Sequence, residues 1–162
     1  EGGSLMFIVG DKIVYPMHGA GIIEEIEEKK ILGQVREYYI LRVPCGDMKI
    51  MIPIDNSGEI GIRPVVQKSC LPEILSLLSG ESTEMSSNWN RRYRENMELL
   101  KTGDIFKVAE VVRNLIRADR IKKLSTGEKK MLTNAKQILI SEMILVAKMT
   151  CDEAEEIIET AI

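Results

Sequence analysis

Trp89-Asn90-Arg91-Arg92-Tyr93-Arg94 gathers an indole and three guanidiniums within six residues. A guanidinium holds a phosphate through two parallel hydrogen bonds, and an apolar ring can wedge against or between bases in a minor groove. The chemistry on offer is contact with a nucleic acid rather than bond-making. A second reading stays open. Trp89, Tyr93, Met97 and Leu100 fall at i, i+4, i+8 and i+11, the spacing of one helical stripe, and a tryptophan on such a stripe can belong to a core. Its place on the first turn, where it can overhang the stripe, keeps the wedge in play.

The surrounding charge points the same way. The whole chain of 162 residues carries a formal charge of −3, which says little. From Trp89 to Lys136, however, there are thirteen Lys/Arg against six Asp/Glu, and from Gln137 to Ile162 one Lys against six acids. A basic middle beside an acidic end is an electrostatic footprint for a polyanion, and its binding should be steeply salt-dependent through counterion release. The competing interpretation is a solvated helix surface. No basic zipper or zinc finger is present to read a major groove.

A second candidate surface lies on Met48-Lys49-Ile50-Met51-Ile52-Pro53. Strand alternation puts Met48, Ile50 and Ile52 on one face and Lys49, Met51 and Pro53 on the other. If the first set packs a core, Met51 faces outward beside a strand-ending proline, which suits an adaptable protein-binding patch on an edge strand. The alternative is a small barrel with both faces partly covered.

Other chemistries lack raw material. His18 is the single histidine, so a His-centred metal site or a nucleophile–His–acid relay has little to build on. Cys45, Cys70 and Cys151 are odd in number, far apart and without a CxxC pair, which argues against a disulfide framework or zinc site and favours a reducing, cytoplasmic setting. His18-Gly19-Ala20-Gly21 is not a phosphate loop and reads as a hairpin turn. Glu24, Glu25, Glu27 and Glu28 read as a solvated strand edge, and Asp152, Glu153, Glu155, Glu156 and Glu159 as a solvated helix face that discourages DNA. No stretch reaches eighteen uncharged apolar residues, so no membrane is expected. Neither a cofactor, a small-molecule substrate nor an enzymatic activity is expected. Glu1-Gly2-Gly3-Ser4-Leu5 reads as an expression scar before Met6.

The elements that must position these groups change period near residue 66. Residues 6–66 are rich in short β-type runs punctuated by Gly and Pro: Ile13-Val14-Tyr15, Ile22 to Glu28, Arg36 to Val43, Met48 to Ile52, and a last strand around Ile60-Gly61-Ile62, with Gly19-Ala20-Gly21 as a turn and Lys30 to Gln34 as a second turn candidate. Such a series suggests a small antiparallel barrel. Residues 69–162 carry helical stripes. One helix begins near Ser69 with Pro72 in its first turn and stops at Gly80. The next spans Trp89 to Lys101, and Asp104 caps a third. Ser125 and Glu128 form one capping box, and Thr150 and Glu153 a second. The expected fold is α+β: an N-terminal Tudor-like barrel over 6–66 followed by an all-α domain over 69–162.

The segments Val9-Gly10-Asp11, Val14-Tyr15-Pro16, His18-Gly19, Ile50-Met51-Ile52-Pro53, Asn88 to Tyr93, Val108 to Arg113, and Leu124-Ser125 with Gly127 to Leu132 together resemble the CarD/CdnL family of bacterial transcription regulators. The likeness runs in order from Met6 to Ile162. The first half alone also resembles the polymerase-interacting module of transcription–repair coupling factors, but the helical half and the lack of helicase motifs favour the stand-alone regulator. The resemblance implies a Tudor-like barrel that grips a lobe of the RNA polymerase β subunit. It implies a helical domain that touches promoter DNA at the upstream fork within the holoenzyme complex, where a tryptophan wedge stabilises the open complex. Carried over by position, Trp89 is the wedge, Arg91 and Arg92 its basic partners, and Arg94, Lys129 and Lys130 phosphate contacts. Met51 and Pro53 match the polymerase-facing strand, and Lys29 a position where some members have arginine. Some members also carry arginine at Met51, so the grip here is expected to be apolar rather than ionic. The rival class is a protein-only adaptor whose basic helices are merely solvated.

Overall fold

The computed structural model describes residues 7–162, so the proposed scar lies outside the described residues. Five antiparallel strands form one sheet in the order β4-β3-β2-β1-β5: β1 Lys12–Tyr15, β2 Gly19–Ile31, β3 Gln34–Val43, β4 Met48–Pro53 and β5 Arg63–Pro64. Alternation sorts the faces. Ile13, Ile23, Tyr39, Leu41, Val43 and Ile52 point inward and pack with Ile54 and Ile62 into one core. The β2–β3 hairpin turns at Leu32 and Gly33, both at positive φ, as the twist of a two-residue hairpin demands. A one-turn helix α1, Ser57–Ile60, precedes β5, so the last strand sits slightly later than the Ile60-Gly61-Ile62 expected from sequence.

Gly19-Ala20-Gly21 is not a turn. The chain reverses at Pro16-Met17-His18, with the His18 amide donating to the Tyr15 carbonyl at 2.9 Å, and Gly19 already opens β2. These glycines answer to packing instead. A Cβ on Gly21 would lie 2.5 Å from the Arg42 carbonyl oxygen in β3. One on Gly19, where φ is +115°, would lie 2.9 Å from Ser141 Oγ. Glycine-rich composition signals a turn or a close approach equally well, and here it signals the second.

The second half contains α2 Leu71–Ser79, α3 Trp89–Lys101, α4 Ile105–Ile121, α5 Thr126–Ala147 and α6 Cys151–Ala161. Side-chain caps set the helix starts. Asp104 accepts from the Phe106 amide at 2.8 Å, and Thr150 and Glu153 form the full reciprocal box expected of them. Ser125 accepts from the Glu128 amide and its hydroxyl donates to the Glu128 carboxylate at 3.3 Å, but that carboxylate is held by an arginine instead of by the Ser125 amide, so that box is only half formed. The stripes of α2, α4 and α5 bury Ile74, Leu78, Val108, Val112, Leu115, Met131, Leu139 and Met143 in a helical core that also takes Leu100 of α3 and Ile158 of α6.

α5 then lies across β2 and the outer face of the sheet, where Leu145 meets Val14 and Ala20. Two polar anchors fix this seam. The Ala20 amide donates to Ser141 Oγ at 2.8 Å, and that hydroxyl donates to the Ile138 carbonyl. Glu142, almost wholly buried, accepts both arms of the Arg63 fork at 2.8 Å and the Val66 amide at 2.8 Å. Arg63 Nε also donates to the Gly103 carbonyl at 2.9 Å. A third link is covalent. Cys45, in the β3–β4 turn, is disulfide-bonded to Cys151 at the start of α6, with Cα atoms 5.9 Å apart. This corrects the expectation of unpaired cysteines. The two stand 106 residues apart, and only the docking of the helices on the sheet brings them together.

Replacing one partner of a buried ion pair leaves the other uncompensated. Glu142→Ala is therefore expected to cost about 3 kcal/mol of stability, read as a lowered midpoint in urea unfolding. An unchanged midpoint would show that the Arg63 fork does not fasten the seam.

Candidate nucleic-acid and partner-binding surfaces

The segment between α2 and α3 is pinned to α4. Asn114 accepts from the Thr83 amide at 3.3 Å and donates to Thr83 Oγ1 at 2.6 Å, and Arg117 donates to the Gly80 carbonyl and Ser82 Oγ. The chain therefore enters α3 from a fixed point. Asn88 caps it, its side chain accepting from the Arg91 amide at 3.1 Å, a contact that typically contributes about 1 kcal/mol. Trp89 is the first helical residue and is 58% exposed. The stripe that begins with it grades inward, with Tyr93 and Met97 half-buried and Leu100 sealed in the core. The spacing is that of a core stripe, yet the indole overhangs its solvent end.

The five basic candidates around Trp89 divide. The Arg92 fork is taken up by Glu128, at 2.6 Å from Nε and 2.7 Å from Nη2, and Arg92 Nη1 also reaches the Ser86 carbonyl. It ties the first turn of α3 to the first turn of α5. Tyr93 closes the same contact, since a Cβ on Gly127 would lie 3.9 Å from its ring. Arg91 is exposed and pairs loosely with Glu95 at 3.7 Å. Arg94, Lys129 and Lys130 are exposed and have no ion-pair partner among the described residues. Lys129 and Lys130 directly follow Glu128, so the clamp brings the starts of two helices side by side, each with free backbone amides and a partial positive charge. That edge favours an anion.

Arg113, Arg117 and Lys136 of the basic segment are structural. Arg113 is buried and donates to the Leu77 carbonyl, and Arg117 donates to those of Leu78 and Gly80, so both satisfy the carboxyl end of α2. Burial lowers the Arg113 pKa from its ordinary value. Lys136 is paired with Glu155 and Glu159 of α6. Counting charge along the chain overstated the free positive surface, because a count cannot see which guanidiniums fold inward.

On the sheet, β4 is an edge strand and Met51 is 39% exposed on its outer face, opposite Ile40. Pro53, half-buried, stands opposite Tyr38, and Lys29 of β2 is exposed opposite Arg36 of β3. Ile50 and Ile52 turn inward as alternation requires, but Met48 is largely exposed at the strand start, where it was expected to pack the core. The competing idea of a sheet covered on both faces holds for β1 and β2 under α5, not for the β4 edge. A bulge at Glu24 arms the region with charge. Glu24 pairs with Arg42 at 2.6 Å and Lys49 at 3.3 Å, and the Arg42 hydrogen bond lowers its pKa. Glu25 is raised by its hydrogen bond to neighbouring Glu27. The turn expected over Lys30 to Gln34 is present, but sequence reasoning missed the apolar surface at its tip. Ile31, Val35 and the 98% exposed Leu32 form an apolar tip on the same hairpin. The available signal was a leucine in a hairpin turn directly before Gly33.

The Arg92 hydrogen bond holds the Glu128 carboxyl below its usual range, against the upward push of burial. A depressed folded pKa contributes stability that is full above the unfolded value, near 4.3, and is lost as pH falls through the folded one. Glu128→Gln is thus expected to be less stable than wild type at pH 7 by roughly 2 kcal/mol. The gap should narrow progressively below about pH 4, as followed by urea unfolding across pH. A gap that is constant with pH contradicts the clamp.

Two family descriptions match the chain. The CarD-like/TRCF RID domain matches residues 7–66, and the CarD C-terminal domain matches residues 73–159. The chain is also 43% identical over 145 residues to a protein described as "Putative transcription factor YdeB" from Bacillus subtilis (strain 168), covering 90% of this chain and 95% of that one.

Proposed function

The chain belongs to the CarD-like family, and from that premise we propose that it is a transcription factor that binds RNA polymerase and stabilises the promoter open complex. The barrel is the tether. Met51 and Pro53 on the β4 edge, with Lys29 on the adjoining hairpin, contact a lobe of the polymerase β subunit. The helical half is the effector. Trp89 wedges at the upstream edge of the melted region, while Arg91, Arg94, Lys129 and Lys130 approach the flanking phosphates. Arg92 serves this contact by positioning, since its clamp on Glu128 fixes the helix start that carries the indole. The observation that carries the reading is a half-exposed tryptophan on a rigidly capped helix start, beside unpaired cations.

The mechanism is linkage. A protein that binds the melted complex more tightly than the closed one shifts the equilibrium toward melting, by no more than its differential affinity. No bond is made or broken, so no catalytic role is assigned, and the protein acts in the cytoplasm with the polymerase. Among the described residues no helix is long and apolar enough to cross a membrane.

Trp89→Ala is expected to leave polymerase binding intact and to shorten open-complex lifetime by about tenfold, the worth of one base–aromatic contact; an unaltered lifetime rejects the wedge. Met51→Glu places a charge in an apolar contact and is expected to weaken β-lobe binding by about tenfold or more, measured by titration of the isolated lobe. Undiminished binding rejects the patch. A second reading, a protein-only adaptor, draws support from the inward-turned Arg92, Arg113 and Arg117. It predicts no salt-dependent contact with upstream-fork DNA inside the polymerase complex.

A further inference from the structure

We propose that Cys45 and Cys151 are a reversible thiol–disulfide site that sets how firmly the β3–β4 corner is fastened to the helical half. The proposal stands independently of the polymerase reading. Three features carry it. The bond joins the sheet's β3–β4 turn to the first residue of α6, and so crosses between the two cores. Cys45 takes a left-handed backbone, φ +63°, between Pro44 and Gly46, a position that ordinarily selects glycine or asparagine. A cysteine tolerated there is held by what its sulfur does. Finally, the site is reachable. Cys45 is exposed, Cys151 is half-buried, and both line an open cleft with His18, Met48, Gln137 and Glu155. The third cysteine, Cys70, is free, half-buried and packed against the helical core.

The reactant class is a small-molecule thiol–disulfide couple. In oxidation, one cysteine thiolate attacks a sulfur of the small disulfide and expels one small thiolate, leaving a mixed disulfide. The second cysteine thiolate attacks the protein sulfur of that adduct and expels the second small thiolate. The protein gains one S–S bond and loses two protons and two electrons, while the small disulfide is reduced to two thiols. Reduction runs the same steps backward. In the oxidised state the unfolded chain is cross-linked over a long loop and the β3–β4 corner cannot lift from α6. In the reduced state the corner depends on side-chain contacts alone.

The test equilibrates the full chain in buffers of reduced and oxidised glutathione at stepped ratios. Samples are quenched in acid, alkylated and peptide-mapped, and thermal unfolding is followed in parallel. Under oxidising ratios, Cys70 alone is expected to be alkylated and Cys45 and Cys151 to be recovered in one linked peptide. Under reducing ratios all three are alkylated, and the melting temperature falls by roughly 10 °C. Cys45→Ser should melt like reduced wild type at every ratio, and Cys70→Ser should keep the full redox dependence. Glutathione adducts without the linked peptide, a link between two chains, or a wild-type melting temperature indifferent to the ratio would each overturn the site.

Discussion

A buried carboxylate sits where the sheet and the helices meet. Glu142 is sealed on α5 and is satisfied from three sides, by both arms of Arg63 and by the Val66 amide. Burying a charge is costly unless it is paired and hydrogen-bonded with good geometry, and this one is. The consequence is positional. Arg63 belongs to β5, Val66 to the segment leaving the sheet, and Gly103, held by the same guanidinium, to the bend between α3 and α4. One network therefore registers the sheet, the linker and the helix that carries Trp89. Gly19 allows this approach, because any side chain there would collide with Ser141.

The same device recurs at the other end of α5. Glu128 accepts the Arg92 fork much as Glu142 accepts that of Arg63. The first pair fastens a helix to a sheet, the second a helix start to a helix start. Between them they leave α3 little freedom at either end, and the indole that would otherwise be drawn toward the core stays at the rim. An exposed tryptophan forgoes the burial of a large apolar side chain, which is worth roughly 1.5–3 kcal/mol for side chains of that kind. Trp89 leaves 58% of its surface outside the packing that the rest of its stripe joins.

Much of the plan was legible in the chain. The span of α3 followed from its stripe, and Asp104 and the Thr150–Glu153 box fixed two helix starts, because caps act within a few residues. Strand alternation placed Met51 outward for the same local reason. The failures share the opposite property. Gly19 and Gly21 look like turn residues until α5 and β3 approach them. Ser125 and Glu128 look like a closed box until Arg92 competes for the carboxylate. Cys45 and Cys151 look unrelated until the seam closes. Arg113 and Arg117 count as surface charge until the end of α2 needs donors. Each depends on a partner that lies beyond its own element in the chain, which no local spacing encodes.

The tether and the rim tryptophan matter only if the ring meets DNA once the barrel is docked. A photo-crosslinking amino acid at position 89, in a promoter complex assembled with polymerase holoenzyme, reports this directly. Adducts confined to bases at the upstream edge of the bubble, lost when the barrel is blocked from the β lobe, are the predicted result. Adducts to polymerase or to the protein's own helices, with none to DNA, would contradict it.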